Sequence, residues 1–193
     1  MRTIIYPVAI LAIAASASFL TSCSSGCDNS EEKERVARLE QYVYQSDNSV
    51  FPADSAKKLV EAYQACVNKC PADTMAGEYL FKAGEVAVTL QEPDTAVKIY
   101  HRLYTEFRNH QKGPMGLFLE AFTYDNQLHD FEKARALYEQ FIKEFPDHEF
   151  ADDAQGSLDN LGIPVEELIK KWEQQDSAKS NGEGGVDSSK VGI

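Results

Sequence analysis

The chain has few of the residues and none of the spacings on which most enzyme chemistry depends. Its four histidines, His101, His110, His129 and His148, are scattered, without the close His or Cys pairs that hold zinc. It contains no Gly-x-Ser-x-Gly, no phosphate-cradling glycine loop and no His-Glu-x-x-His. The densest group of ligand types is His148 with Glu149, Asp152 and Asp153, which a solvated helix start explains equally well, because carboxylates favour that end. No catalytic residue, metal or cofactor is therefore expected. Cations are also short, with 19 Lys and Arg against 31 Asp and Glu for a net charge of -12. No basic stripe with interleaved aromatics offsets that balance, so no nucleic-acid partner is expected. Past the first twenty-odd residues no segment alternates as a strand over useful length, and the fold class is all-α.

The chain does have a leader-like start. Met1-Arg2-Thr3 is a short cationic end, Ile4 to Leu20 is uncharged and mostly apolar, and Leu20-Thr-Ser precedes Cys23. With the small-residue run Ala14-Ala15-Ser-Ala-Ser, this resembles a bacterial lipoprotein signal and its lipobox. The resemblance implies cleavage before Cys23 and acylation of that residue, making 1–22 a signal peptide and 23–30 a polar, lipidated tether. Attachment through two or three acyl chains would be stable where one alone is marginal. Ser24 after the cysteine resembles the outer-membrane default among such lipoproteins. Cys27 lacks the preceding aliphatic residue and is the weaker candidate anchor.

Beyond Cys23, three cysteines remain, Cys27, Cys66 and Cys70, and an odd number cannot pair fully. Cys66 and Cys70 lie one helical turn apart, where regular helix geometry holds a disulfide poorly. The spacing favours two small core residues. A strained Cys66–Cys70 bond and metal ligation are the alternatives.

Apolar periodicity, prolines and capping residues predict eight helices over a domain at 31–175. The first ends near Gln45, before a break at Ser46 to Val50. Cys70-Pro71 closes the second, and Asp73 is read as the cap of the third. Pro93 suits the first turn of the fourth, and Asn109 to Pro114 forms a loop before the fifth. Asp130 caps the sixth, which stops at Phe145-Pro146. The eighth runs from Val165 to about Gln175. The segment 176–193 has three scattered large apolar residues and is expected to be disordered.

The most informative pattern is an echo. Ala96-Val-Lys-Ile-Tyr100-His-Arg-Leu103-Tyr-Thr-Glu106-Phe107 aligns with Ala134-Arg-Ala-Leu-Tyr138-Glu-Gln-Phe141-Ile-Lys-Glu144-Phe145, thirty-eight residues on. Leu59, Tyr63, Cys66, Cys70 and Pro71 form a fainter copy upstream. Ala, Tyr, Leu/Phe and Phe fall at steps of four, three and four, on one helix face. Asp130-Phe131-Glu-Lys-Ala134, Tyr138, Phe141 and Pro146 resemble the second helix of a tetratricopeptide repeat, and Leu80, Ala83 and Gly84 resemble its first. The usual period is about 34 residues, so the Asn109 to Pro114 loop is expected to hold some four extra. The first helix around Phe122 lacks the usual glycine, and Asp125 takes a place often held by an aromatic.

The resemblance implies a right-handed superhelical stack of three to four antiparallel helix hairpins, with a concave face lined by first helices. Its groove positions carry over to Glu78, Phe81 and Glu85, then to Leu119, Thr123 and Asn126. The expected function is a membrane-anchored protein–protein interaction scaffold in the bacterial cell envelope, at the outer membrane, with another envelope protein as partner. The alternative is an envelope enzyme or small-ligand-binding lipoprotein.

Overall fold

The computed structural model of the chain describes residues 27–45 and 51–182. The expected signal segment, Cys23, the expected break at Ser46 to Val50 and the residues from Glu183 on lie outside the described residues. Among those described there is no strand, and no helix is long and apolar enough to cross a membrane.

Among the described residues eight helices follow in chain order: α1 (Ser30–Glu40), α2 (Ala53–Lys69), α3 (Ala76–Thr89), α4 (Pro93–Glu106), α5 (Gly113–Thr123), α6 (Phe131–Glu144), α7 (Ala151–Asp159) and α8 (Val165–Gly182). A π-helical turn continues α1 over Gln41–Gln45, and another continues α5 over Tyr124–Leu128. From α1 to α7 each helix packs on the next, as a tetratricopeptide-like stack of hairpins requires. α8 was expected to end near Gln175, but it continues to Gly182. No glycine or proline interrupts it between Val165 and Gly182, and Ala178 and Lys179 are good helix formers.

The echoed residues form the core. Leu59, Tyr63 and Cys66 on α2, Ala96, Tyr100 and Leu103 on α4, and Ala134, Tyr138 and Phe141 on α6 are all buried. One cluster gathers α1 to α4 around Tyr63 and Tyr100. A second begins at Tyr104 and gathers α4 to α7 around Tyr138 and Phe141. Gly84 makes the close approach within a hairpin possible, because a Cβ there would stand 2.2 Å from the Tyr100 ring.

The turns between hairpins repeat more faithfully than their sequences do. Cys70 to Met75, Phe107 to Lys112 and Phe145 to Phe150 each place six residues between consecutive helices. In each, the fourth residue's side chain accepts the backbone N–H two positions on. Asp73 Oδ1 accepts from Met75 at 3.0 Å, His110 Nδ1 from Lys112 at 3.1 Å and His148 Nδ1 from Phe150 at 3.2 Å. The two histidines therefore carry their ring proton on Nε2 and do the work of an Asx turn. Asp73 organises this turn, not the start of α3, which begins three residues later at Ala76.

The Asn109 to Pro114 region is therefore no longer than its counterparts, since all three turns have the same length. The one residue by which the echo lengthens, from 37 between Tyr63 and Tyr100 to 38 between Tyr100 and Tyr138, enters at the π-helical turn Tyr124–Leu128. A π-helix accommodates one added residue without ending the helix. Within hairpins the first helices end at matching left-handed residues, Gln91 (φ 58), His129 (φ 53) and Gly162 (φ 73).

The cysteines pair across elements. Cys70 is bonded to Cys27, with Cα atoms 5.6 Å apart, and Cys66 is a buried free thiol. This corrects the expectation that Cys66 and Cys70 are both core thiols. Cys27 stands three residues before α1, which runs antiparallel to α2 and so delivers it to the α2 end. A separate element can present its Cβ at the required angle where a helical neighbour cannot. Burial pushes the Cys66 thiol up from its ordinary value, keeping it protonated.

Beside the disulfide, Asp73 takes an ion pair from Lys33 and a 2.9 Å hydrogen bond from the Asn29 amide. The Lys33 ammonium, the Met75 N–H and the Asn29 amide together hold its carboxyl down at about 2. A depressed acid contributes stability that is present above the unfolded value and lost as pH falls through the folded one. Asp73→Asn should therefore cost about 1–2 kcal/mol near neutral pH, less than the full shift implies because Lys33 is screened by solvent. The wild-type advantage should fade between about pH 4 and pH 2, as read by denaturant unfolding at a series of pH values.

Candidate functional site

The stack carries a large open cleft of about 770 Å³ between the end of α5, its π-helical turn, α7 and the start of α8. Its size follows from two departures in helix length. Counted from Ala151 to Leu161, α7 reaches its left-handed residue sooner than α5, which spans Gly113 to Leu128 before His129. α7 thus leaves the end of α5 uncovered, while the π-helical turn carries that end one residue further.

Aromatic rings form the floor. Phe118 meets Phe122 at 6.2 Å, Phe150 at 5.3 Å and Tyr138 at 6.0 Å between ring centroids. Phe122 is 45% exposed and Phe131 39%, so both present rings to the cleft that the hairpin core does not use. Ile163, Pro164 and Leu168 form the far lip. Carboxylates stand at Asp125, Asp152 and Asp153, and no Lys or Arg is among the lining residues. Burial pushes the Asp125 carboxyl above its ordinary range, opposed by the Tyr138 hydroxyl at 3.5 Å and by His129.

The cleft wall also holds a serine and a histidine beside these acids, but they are not linked as nucleophile, base and orienter. His129 turns Nδ1 to the Asp125 main-chain carbonyl at 3.0 Å, and Ser157 lies beside the Tyr138 hydroxyl. Such linkage is what nucleophilic catalysis requires.

The groove residues carried over from the repeat pattern are divided by the structure. Glu85, Leu119 and Thr123 share a smaller depression of about 300 Å³ between α3 and α5. Asn126 lines the large cleft, and Glu78 and Phe81 line neither. Phe81 carries the Lys112 ammonium 4.3 Å from its ring centroid. Thr123 is buried, with its hydroxyl donated to the Leu119 carbonyl at 2.7 Å, so it forms wall and offers no free donor.

Phe122 and Asp125 were missed as cleft residues because the first helices α3 and α5 repeat at 37, not at 38. Gly84 lies eleven residues after Asp73, and Ala121 lies eleven after His110. The small residue expected around Phe122 is therefore Ala121, which is fully buried, and Phe122 is turned outward. Counting from the turns would have found it.

A comparison with curated proteins gives no match. Gly116 to His148, which covers most of α5, its π-helical extension, α6 and part of the turn after it, matches the family model of the tetratricopeptide repeat, so this hairpin is such a repeat.

Proposed function

We propose that the chain is a protein–protein interaction scaffold tethered to a membrane of the bacterial envelope by lipid on Cys23, at the outer membrane. A tetratricopeptide repeat suggests a protein–protein interaction scaffold, and the open cleft between that repeat and the helices that follow it is the observation that carries the reading here. It is broad, floored by rings and rimmed by acids, a form suited to a polypeptide surface. The Cys27–Cys70 bond supports the extracytoplasmic location, because disulfides persist in oxidising compartments.

Two measurements test the two halves separately. Cys23→Ser should move the protein from the membrane to the soluble fraction of cells, and continued membrane association would refute the lipid tether. A photo-crosslinking side chain at Phe122 should give a discrete protein adduct in cells. The same group at Arg135, exposed on α6, should not. Equal or absent adducts at both positions would count against the cleft as a binding face.

A further inference from the structure

Granting the scaffold reading above, we infer that the cleft receives a polypeptide segment in which a Lys or Arg stands beside an aromatic or branched apolar residue. The floor sets the apolar half of that requirement. Phe122 and Phe131 leave part of their rings exposed to the cleft, and the apolar surface continues along α8. Leu168 lines the cleft, and Trp172, one helical turn on, shares its face and is 52% exposed. From α1 to α7 the helices bury an apolar face against a neighbour, whereas among the described residues α8 makes no comparable packing on another helix. A surface of this kind, continuous from a cleft onto a bare helix, fits a segment that lies along both.

The rim sets the charged half. Asp125, Asp152 and Asp153 line the cleft without a lining Lys or Arg, and the two nearby lysines are held by other partners, Lys171 at the cleft's own edge. Lys133 is held by Asp130 and lies over the Tyr124 ring, and Lys171 donates to Asn160 at 3.1 Å. His129 is spent on the Asp125 carbonyl. Burial raises the cost of keeping Asp125 ionised, and a guanidinium or ammonium entering the cleft would relieve it. Rings beside carboxylates also favour a cation with a flat or apolar stem, which can rest on the ring face while its head meets the acid. An acidic segment would meet like charge from both the rim and a chain of net charge -12.

The chain's single tryptophan supplies the readout. The full chain, purified in detergent, is panned with phage-displayed random peptides, and the enriched peptides are synthesised and titrated while Trp172 emission is followed. Enrichment of Lys or Arg next to Phe, Trp, Leu or Ile is expected, with a blue shift of Trp172 on binding. Phe122→Ala, and separately the pair Asp152→Asn with Asp153→Asn, should each weaken binding by about tenfold or more, with melting curves checking the fold. Added salt should weaken binding to wild type more than to the Asn pair.

Enriched peptides that are acidic or uncharged, or whose affinity ignores the cleft substitutions, would overturn this inference while leaving the scaffold reading intact. No enrichment at all would overturn both. Binding that appears only after truncation at Gly182 would make the chain's own residues 183–193 the occupant. A Trp172 shift with phosphatidylcholine–phosphatidylglycerol vesicles and none with peptides would make the surface a lipid contact. Either result would refute a partner polypeptide.

Discussion

Tyr138→Ala should destabilise the protein by about 3–5 kcal/mol, the range for deleting large aromatic side chains from cores. At this chain length such a loss lowers the melting temperature by on the order of 10 °C. Tyr138 is fully buried, and its ring meets Phe118 within the second core cluster. Its deletion would leave Phe118 and Phe141 facing a void that helices fixed by turns at both ends cannot close. Tyr138→Phe isolates the hydroxyl. Burial pushes that hydroxyl up to about 12, and it reaches Asp125 only at 3.5 Å, so its loss should cost less than about 1 kcal/mol. The damage should also be uneven. Hairpins in a stack contact mainly their neighbours, and the core divides at Leu103 and Tyr104. Amide hydrogen exchange should therefore accelerate more in α5 to α7 than in α2 and α3. An unchanged melting temperature, or equal acceleration along the stack, would contradict the packing described here.

The residues that make Tyr138 predictable are also those most legible in the sequence. Tyr63, Tyr100 and Tyr138 recur because each fills the same space between helices, and packing selects by size and shape. The helices around them could be read for the same reason, as could Asp130 at the start of α6, where its carboxylate accepts from the Lys133 N–H at 3.2 Å. The turn acceptors were not legible. His110 and His148 fall at the echo's own spacing, but Asp73 shares no residue type with them, so the role common to all three turns does not show in the sequence. The added residue at Tyr124–Leu128 was equally hidden, since none of those five residues is buried and no core position marks the change of register. It shifted the apparent register of α5 by one position and drew attention from Phe122 to the smaller depression at Leu119 and Thr123. The cleft depends on a length mismatch between α5 and α7, which only the stacked structure shows.

The Cys27–Cys70 bond was hidden for a related reason, and its removal is the second large effect expected. Cys27 lies in a polar stretch with no periodicity, and only the antiparallel packing of α1 on α2 brings it to the α2 end. The bond spans a sequence separation of 43 residues. On the chain-entropy account, closing such a loop in the unfolded state is worth about 4 kcal/mol, and strain or residual structure lowers the realised figure. Cys27→Ser is the cleaner variant, because Cys27 is exposed whereas Cys70 is buried and a serine there would bury a hydroxyl. It should lower stability by about 2–4 kcal/mol. The loss should fall first on α1, whose start is otherwise held by the Asn29–Asp73 bond and the Lys33–Asp73 and Lys69–Glu32 ion pairs. Reductant supplies the control. Treated with a phosphine, the wild type should melt where Cys27→Ser melts, and Cys27→Ser should not respond. Cys66→Ala should keep the reductant sensitivity, because Cys66 is outside the bond. If oxidised wild type and Cys27→Ser melted together, or if Cys66→Ala lost the sensitivity, the pairing would be wrong. The bond's support for an oxidising compartment would then fall with it.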